Sequence, residues 1–144
     1  MTHWLIANDS RFAAAVSANG VVNQVSVATN CDLGPAWTPR LGWELPPAGV
    51  EKLWAQSPLA TADAIKTPLL MLQGAADLRC PPADNEQLFA VLRARRHTVE
   101  YVLYPAETHI MQGVGRPDRR IDMFERTHAW FDRFLRPELV AGSE

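Results

Sequence analysis

The stretch PLLMLQGAAD, residues 68–77, decides the fold of this protein. Its first part is a short, continuous apolar run closed by Gly74, a pattern typical of a β-strand buried on both faces of a parallel sheet. Gly74 permits a sharp exit from that strand, which places Asp77 on the rim at the carboxyl edge of the sheet. Because chemistry in open α/β sheets is concentrated at this edge, Asp77 is a candidate functional residue.

The segments that follow alternate between helix and strand. Residues 84–96 predict an amphipathic helix, and residues 99–104 alternate in polarity and are rich in β-forming side chains. Pro117 then opens a long helix. Its apolar stripe recurs at helical spacing and consists of Ile121, Phe124, His128, Phe131 and Leu135. Strand and helix alternating in units of about thirty residues predict an α/β fold, a parallel doubly wound sheet with helices on both faces.

The first half of the chain is less regular. Trp4–Ala7 is typical of the inner turns of a helix, and Phe12–Ser17 of a fully buried strand, with a helical turn as the alternative. Five prolines interrupt residues 21–66, so this segment cannot be one regular element. We expect short helices and loops, arranged as a lid-like insertion, with Val50–Gln56 as its best helix. The segment also contains three tryptophans, expected mainly to pack its interior: Trp37, Trp43 and Trp54.

A second candidate residue follows the next predicted strand. Pro105 ends the strand after Tyr104, and His109 then lies in a loop before the last helix. An acid after one strand and a histidine after the next is the second half of the Ser, Asp, His order of α/β-hydrolases. A serine hydroxyl needs an imidazole to take its proton, and the imidazole needs a carboxylate to fix its tautomer. We therefore expect Asp77 and His109 to lie within about 2.6–3.2 Å of each other.

The other reactive side chains give weaker signals. His3 lies on the opening helix, His97 at an Arg-rich helix end, and His128 on the apolar stripe, where a core position is expected. Cys31 and Cys80 match no metal-binding spacing, so we expect two buried free thiols, with a disulfide as the alternative. No glycine loop has a phosphate-binding pattern. The sequence therefore predicts neither a cofactor nor a metal site.

Composition limits the class of protein further. At 144 residues, 47% hydrophobic and 21% charged, the chain predicts one globular domain over residues 1–137 with a frayed tail at 138–144. The net charge of −2 indicates no nucleic-acid partner. No stretch approaches the roughly 18 apolar residues of a membrane span, and residues 1–7 lack the features of a signal peptide. A cytoplasmic location is expected.

Beyond these arguments, the whole chain resembles the catalytic domain of the prolyl oligopeptidase family of serine peptidases, in particular its acylaminoacyl-peptidase-like branch. The motifs that carry the resemblance are residues 57–59 and 65–81, residues 104–109, and, for the closing helix, residues 115–121 and 130–135. The resemblance implies that Asp77 is the catalytic acid and His109 the catalytic base. At one position this sequence differs from the family pattern that it resembles, because Cys80 occupies a place where Val is usual.

The nucleophile of that family lies in Gly-x-Ser-x-Gly-Gly, which these 144 residues do not contain. The serines that lack the flanking glycines are Ser10, Ser17, Ser26, Ser57 and Ser143. The resemblance therefore implies the C-terminal portion of an α/β-hydrolase, without the half that bears the nucleophile elbow. We expect the isolated chain to be inactive. Its expected partners are that N-terminal half, a peptide or acyl-peptide substrate in the complete enzyme, and, as an open case, a second copy of the chain.

Two other classes stay open. An esterase or a dienelactone-hydrolase-like enzyme shares the acid-then-base order, although the closing stretches at 116–120 and 130–132 favour the peptidase branch. A non-catalytic half-domain acting in binding or oligomerisation is the third hypothesis. It would need a cover for the open edge of its sheet and for the apolar faces beside it.

Overall fold

The computed structural model describes residues 1–136, so the predicted tail at 138–144 lies outside the described residues. In chain order the elements are α1 (Thr2–Asn8), β1 (Ala15–Ala18), α2 (Gln24–Asn30), α3 (Gly34–Arg40), α4 (Val50–Ala55), a 3₁₀ helix (Pro58–Ala64), β2 (Leu69–Gly74), α5 (Pro82–Ala94), β3 (Val99–Tyr104), α6 (Met111–Val114) and α7 (Pro117–Leu135).

The three strands form one parallel sheet in the order β1-β2-β3. Leu69 pairs with Ala15 on one side and with Val99 on the other, so the strands start level and their carboxyl ends emerge at the same edge. The chain returns from each strand to the next through helices, as parallel pairing requires. β3 has the predicted bounds, and β2 begins one residue after Pro68 and ends at Gly74 as expected. Each strand is followed by a loop at the edge where a site was expected.

Apolar side chains of β2 belong to two hydrophobic cores, one on each face of the sheet. Leu69 and Met71 point to one face, where α1, α5 and the 3₁₀ helix pack, and Leu70 and Leu72 point to the other, where α7 packs. All of β2 is buried, as expected for a strand covered on both faces. The predicted α/β fold with helices on both faces of a parallel sheet is confirmed.

The first strand begins later than predicted. β1 starts at Ala15, whose N–H donates to the carbonyl of Pro68 at 2.9 Å, and Phe12 lies outside the ladder with 38% of its surface exposed. Phe12 belongs instead to the approach to the sheet, where its carbonyl accepts a hydrogen bond from Thr67 Oγ1. The prediction that Phe12–Ser17 forms the buried strand was therefore wrong at its start, because the strand begins at Ala15 rather than at Phe12.

The segment 21–66 consists of short helices and loops, as predicted, and the best of these predictions, Val50–Gln56, corresponds to α4. Its interior is not built by tryptophans, however. Trp37 and Trp54 are 48% and 44% exposed, whereas Leu53 is 1% exposed. The expectation that the tryptophans mainly pack the interior was wrong for these two residues. The interpretation of the segment as a lid stays a prediction.

Helix α7 buries a different stripe from the one its apolar periodicity indicated. Met123 and Trp130 are 5% and 3% exposed and pack on Leu70 and Leu72 of the sheet. The side chain of His128 is 77% exposed and its Nδ1 lies 2.9 Å from Asp132, so the prediction of a core histidine was wrong. Three further members of the predicted stripe are also exposed: Ile121, Phe124 and Leu135. None of the described helices is long and apolar enough to cross a membrane.

Candidate active site

The loop after β2 holds a buried carboxylate. Asp77 follows the turn that leaves Gly74, and its side chain is 0% exposed. One carboxylate oxygen, Oδ1, accepts the backbone N–H groups of Arg79 and Cys80, both at 2.8 Å. These bonds fix the orientation of the carboxylate and compensate for its removal from water.

The loop after β3 brings an imidazole to the other carboxylate oxygen. His109 Nδ1 lies 3.0 Å from Asp77 Oδ2, within the range predicted from the sequence. Because the carboxylate only accepts hydrogen bonds, Nδ1 is the protonated nitrogen and donates to it. Nε2 is left as the acceptor, and it takes part in no hydrogen bond among the described residues. The His109 side chain is 37% exposed, so this nitrogen is accessible to a reacting group.

The two loops approach each other so closely that Gly74 cannot carry a side chain. A Cβ atom there would lie 2.6 Å from the carbonyl oxygen of Glu107 and 2.9 Å from that of Thr108. Backbone bonds join the loops at the same place, since Ala75 N–H donates to Tyr104 and Ala76 N–H donates to Glu107. The glycine therefore allows the contact on which the distance between carboxylate and imidazole depends.

A buried amide at the end of β1 links both loops. Asn19 is 5% exposed and adopts a positive φ of 49°, a conformation that Asn tolerates better than most residues. Its Nδ2 donates to the carbonyl of His109 at 2.8 Å, and its Oδ1 accepts the N–H of Gly74 at 2.9 Å. The sequence analysis missed this residue. The available signal was its position, a polar side chain directly after a buried strand and before a glycine.

A second buried amide, that of Gln73, contacts the Asp77 carboxylate and the loop around it. Gln73 is fully buried, and its Nε2 donates to the carbonyls of Gly74 and Cys80 and reaches Asp77 Oδ2 at 3.5 Å. Its Oε1 accepts from Asn85 Nδ2 at 2.7 Å. A buried polar network in which the members satisfy one another holds a single geometry. Sequence patterns did not indicate this role, because Gln73 is a single polar side chain in an otherwise apolar strand and its partners come from other segments.

The far side of the His109 loop is fixed to the last helix. The buried carboxylate of Glu107 accepts the N–H of Arg116 at 3.0 Å, next to the start of α7, where a negative charge is favourable. Tyr104 donates its hydroxyl to Asp122 of the same helix at 2.8 Å. Burial raises the pKa of Tyr104, so this hydroxyl keeps its proton and its bond at neutral pH.

A cavity of about 610 Å³ opens beside the pair. His109 and Cys80 line it, and the segment 21–66 contributes further lining residues, including Trp37 and Trp43. Arg79 also lines the cavity, where it forms an ion pair of 2.6 Å with Asp32. The Arg79 guanidinium lowers the pKa of Asp32 to about 2, so this pair is charged at neutral pH. The volume is that of an ordinary small-molecule site.

The two cysteines are buried and free, as predicted. Both line the cavity. Burial, together with the negative charge of Asp77, raises the pKa of the Cys80 thiol to about 12, whereas the pKa of Cys31 is raised mainly by burial. Neither thiol is therefore a strong nucleophile on its own at neutral pH.

The structure brings together three side chains of the types that can bind a metal ion. Asp77, Cys80 and His109 each offer one ligand atom, and these atoms lie within 4.8 Å of one another. Sequence spacing did not reveal this group because His109 comes from a different strand end. It overlaps with the hydrogen-bonded pair described above.

The other predicted side chains lie apart from the pair or take structural roles. None of the described serines hydrogen-bonds to His109, and Ser143 lies outside the described residues. His97 lies away from the site beside Ile65. His3 is 2% exposed and is among the residues that line the cavity. Its Nδ1 lies 3.2 Å from the carbonyl of Val21.

A parallel sheet with an acid after one strand and a histidine after its neighbour defines a portion of an α/β-hydrolase. Comparison with known proteins narrows this class. The chain belongs to the prolyl oligopeptidase family, whose model matches residues 1–138. The resemblance seen in the sequence is thereby confirmed.

Individual relatives agree with that assignment. The chain is 36% identical over 138 residues to an uncharacterized peptidase of Bacillus subtilis, YuxL, a match that covers 94% of this chain and 20% of that protein. It is 30% identical over 131 residues to the acylamino-acid-releasing enzyme of Mus musculus, covering 86% of this chain and 17% of that enzyme. The chain thus spans about a fifth of the length of the curated relatives it matches.

Solved structures share the fold. The acylaminoacyl peptidase of Pyrococcus horikoshii superposes with a TM-score of 0.86 at 25% identity, over 94% of this chain and 22% of that one. The α/β-hydrolase assignment made from strand order and site geometry is therefore supported independently.

Proposed function

We propose that this chain supplies the acid and the base of a serine peptidase, with Asp77 orienting His109 and His109 taking the proton of a serine hydroxyl. The observation that carries the proposal is the 3.0 Å contact between His109 Nδ1 and the buried Asp77 carboxylate. It assigns the Nδ1–H tautomer, which leaves Nε2 free to accept the hydroxyl proton.

The electrostatic setting suits this role. As Nε2 takes up the proton, the imidazole becomes positively charged next to a carboxylate that is 0% exposed. In such surroundings opposite charges attract more strongly than in water, so the carboxylate stabilises the imidazolium that forms. The hydrogen bonds from Arg79 and Cys80 keep the carboxylate from rotating away during this step.

The nucleophile in this proposal comes from a segment that carries Gly-x-Ser-x-Gly, a motif absent from these 144 residues. No serine hydroxyl of residues 1–136 hydrogen-bonds to His109, and we expect the chain alone to be inactive. In a well-studied serine protease, loss of the nucleophile lowers kcat by on the order of a millionfold.

For the substrate we propose a peptide or an N-acylated peptide. The names of the relatives in mouse and Pyrococcus support this class, and so does the cavity beside His109, whose walls carry apolar side chains such as Trp37 and Trp43. A cytoplasmic location and self-association stay predictions from the sequence.

The test combines this chain with a separately produced segment that bears the Gly-x-Ser-x-Gly motif of a relative. We expect fluorophosphonate labelling and hydrolysis of an N-acetyl peptide only in the combined sample. His109→Gln should lower the rate by on the order of 10⁵-fold or more, and Asp77→Asn by about 10⁴-fold. The matched controls are His128→Gln and Asp63→Asn, which change exposed side chains and should retain the rate of the unchanged chain.

The controls decide between outcomes. Labelling of any serine in the chain by itself would refute its inactivity alone. Equal rates for His109→Gln and His128→Gln in the combined sample would refute the role of His109. Hydrolysis of a simple ester without hydrolysis of the peptide would favour the esterase alternative.

A further inference from the structure

The acid and base of the proposed site share their pocket with a thiol. Cys80 is 5% exposed and its backbone N–H donates to Asp77 Oδ1 at 2.8 Å. Its sulfur, a carboxylate oxygen of Asp77 and a ring nitrogen of His109 all lie within 4.8 Å of one another. One oxygen, one nitrogen and one sulfur ligand converging on a point is a donor set that Zn²⁺ accepts.

We propose that Asp77, Cys80 and His109 bind a single Zn²⁺-like ion, and that this ion is an inhibitor of the site rather than a cofactor. In tetrahedral coordination, ligand atoms at about 2.0–2.3 Å from the metal are about 3.3–3.7 Å apart. The most distant ligand atoms, which lie within 4.8 Å of each other, therefore need to approach by about 1 Å, whereas His109 Nδ1 and Asp77 Oδ2, at 3.0 Å, need to separate slightly.

The chemistry of the ligands selects the kind of ion. A thiolate and an imidazole favour Zn²⁺ and related soft divalent ions, while Mg²⁺ and Ca²⁺ prefer all-oxygen sites. Cys80 binds as the thiolate, and its proton passes to solvent as the sulfur–metal bond forms. The positive ion also neutralises the charge of the fully buried Asp77 carboxylate.

The cavity gives an ion a path to these three side chains. His109 is partly exposed and lies on the cavity wall together with Cys80, so an ion can reach the group from the cavity. The fourth position of a tetrahedral ion would face the same space and take a water molecule. This arrangement resembles a ligand set with three protein donors and one exchangeable position.

Inhibition follows from what the ion displaces, and this consequence rests on the proposed function. An ion coordinated by Asp77 and His109 takes the place of the hydrogen bond between them. The metal displaces the proton of Nδ1 to solvent, and Nε2 takes up a proton from solvent, so the imidazole stays neutral. Nε2 then donates rather than accepts, so it cannot take the serine proton. Binding of the ion itself requires no catalytic role, so the two hypotheses can fail separately.

The experiment measures binding of Zn²⁺ to the 144-residue chain by calorimetry and of Co²⁺ by absorption spectroscopy. We expect one ion per chain and a near-ultraviolet thiolate-to-cobalt charge-transfer band. Cys80→Val should abolish the band and weaken Zn²⁺ binding by at least about tenfold, since one of three ligands is lost. Val is similar in volume and offers no atom that can bind a metal ion.

Cys31→Val is the matched control, because Cys31 is also buried and lines the same cavity. It should bind Zn²⁺ as the unchanged chain does. Cys80→Ser, checked for folding by circular dichroism, tests the same ligand with a smaller change in shape and should also lose the charge-transfer band. Unchanged binding in both Cys80 variants, or loss of binding in Cys31→Val, would overturn the proposal.

A further comparison separates this proposal from the proposed function. His109→Gln should weaken Zn²⁺ binding in the chain alone, where no hydrolysis is measured. Weakened binding in this variant together with unchanged hydrolysis in the combined sample would preserve the metal site and refute the catalytic role. Zn²⁺ binding that is equal in His109→Gln and the unchanged chain would refute the metal site.

Discussion

Asn19 Nδ2 donates a hydrogen bond of 2.8 Å to the carbonyl oxygen of His109, a residue 90 positions away in sequence. The same side chain accepts the N–H of Gly74 through Oδ1 at 2.9 Å. One buried amide thus fixes the relative position of the loop that carries Asp77 and the loop that carries His109. We infer that Asn19 is a positioning residue for the pair.

Replacing Asn19 tests this role. Asn19→Ala leaves the N–H of Gly74 and the carbonyl of His109 without a buried partner, and it places alanine at a positive φ of 49°. We expect the free energy of unfolding to fall by about 2–4 kcal/mol in urea denaturation. The downfield proton NMR signal of His109 Nδ1–H should also weaken as the pair loosens.

The control for this change is Asn8→Ala. Asn8 also donates its side-chain amide to a backbone carbonyl, that of Trp4 at 2.8 Å, but it does so in an exposed position at the end of α1. We expect its free energy of unfolding to stay within about 0.5 kcal/mol of the unchanged chain. Equal losses in the two variants would contradict a special role for Asn19.

A single methyl group on Gly74 should separate the two loops. Gly74→Ala would place Cβ 2.6 Å from the backbone oxygen of Glu107, and backbone cannot move aside as a flexible side chain can. We expect a loss of about 1–3 kcal/mol in unfolding free energy from this overpacking. Gly113→Ala has nothing within 4 Å of its Cβ and should be neutral or stabilising by up to about 1 kcal/mol. Comparable thermal stability of the two variants would show that the loops tolerate separation.

Sequence reasoning performed best where a local pattern and the fold point to the same answer. The apolar run of β2 and the alternation of β3 are long enough to set both strands and hence the loops that follow them. Since parallel strands deliver their carboxyl ends to one edge, the approach of Asp77 to His109 was predictable from order alone. The roles of the Asn19 and Gln73 amides could not be predicted in this way, because they depend on contacts between distant segments.

The errors arose where apolar residues exceed what the described core can bury. Helix α7 has apolar residues on more than one face, and periodicity alone does not tell which face meets the sheet. The same holds for the segment 21–66, where Trp37 and Trp54 were assigned to the interior and are half-exposed. Position relative to the sheet, rather than hydrophobicity, decides burial in both places.

Two adjacent residues of α7 allow a direct test of this conclusion. Met123 is 5% exposed and packs in the cluster that contains Leu70 and Leu72 of the sheet, whereas Phe124 is 65% exposed. Met123→Ala should lower the unfolding free energy by about 2–5 kcal/mol, and Phe124→Ala should change it by less than about 0.5 kcal/mol, although Phe is the larger side chain. Denaturant unfolding of both variants provides the measurement. A greater loss for Phe124→Ala would mean that the predicted stripe, not the observed one, is buried.

A buried histidine makes the stability of the chain depend on pH. His3 is 2% exposed, its Nε2 has no hydrogen-bond partner among the described residues, and burial lowers its pKa from 6.5 to about 4. The hydrogen bond to the carbonyl of Val21 opposes that shift only in part. The folded chain therefore holds His3 in its neutral form at pH values where an unfolded chain would protonate it.

His3→Gln should remove this pH dependence. Between pH 6.5 and 4 the unfolded state binds a proton at His3 that the folded state does not, so the unfolding free energy of the unchanged chain falls as the pH decreases through this window. Relative to His3→Gln, we expect it to fall by about 3 kcal/mol between pH 7.5 and pH 4. Urea unfolding of both proteins at several pH values gives the difference, in which titrations common to both cancel. Parallel stability curves across that range would show that His3 protonates equally in the folded and unfolded chains, and that the cavity wall around it admits water.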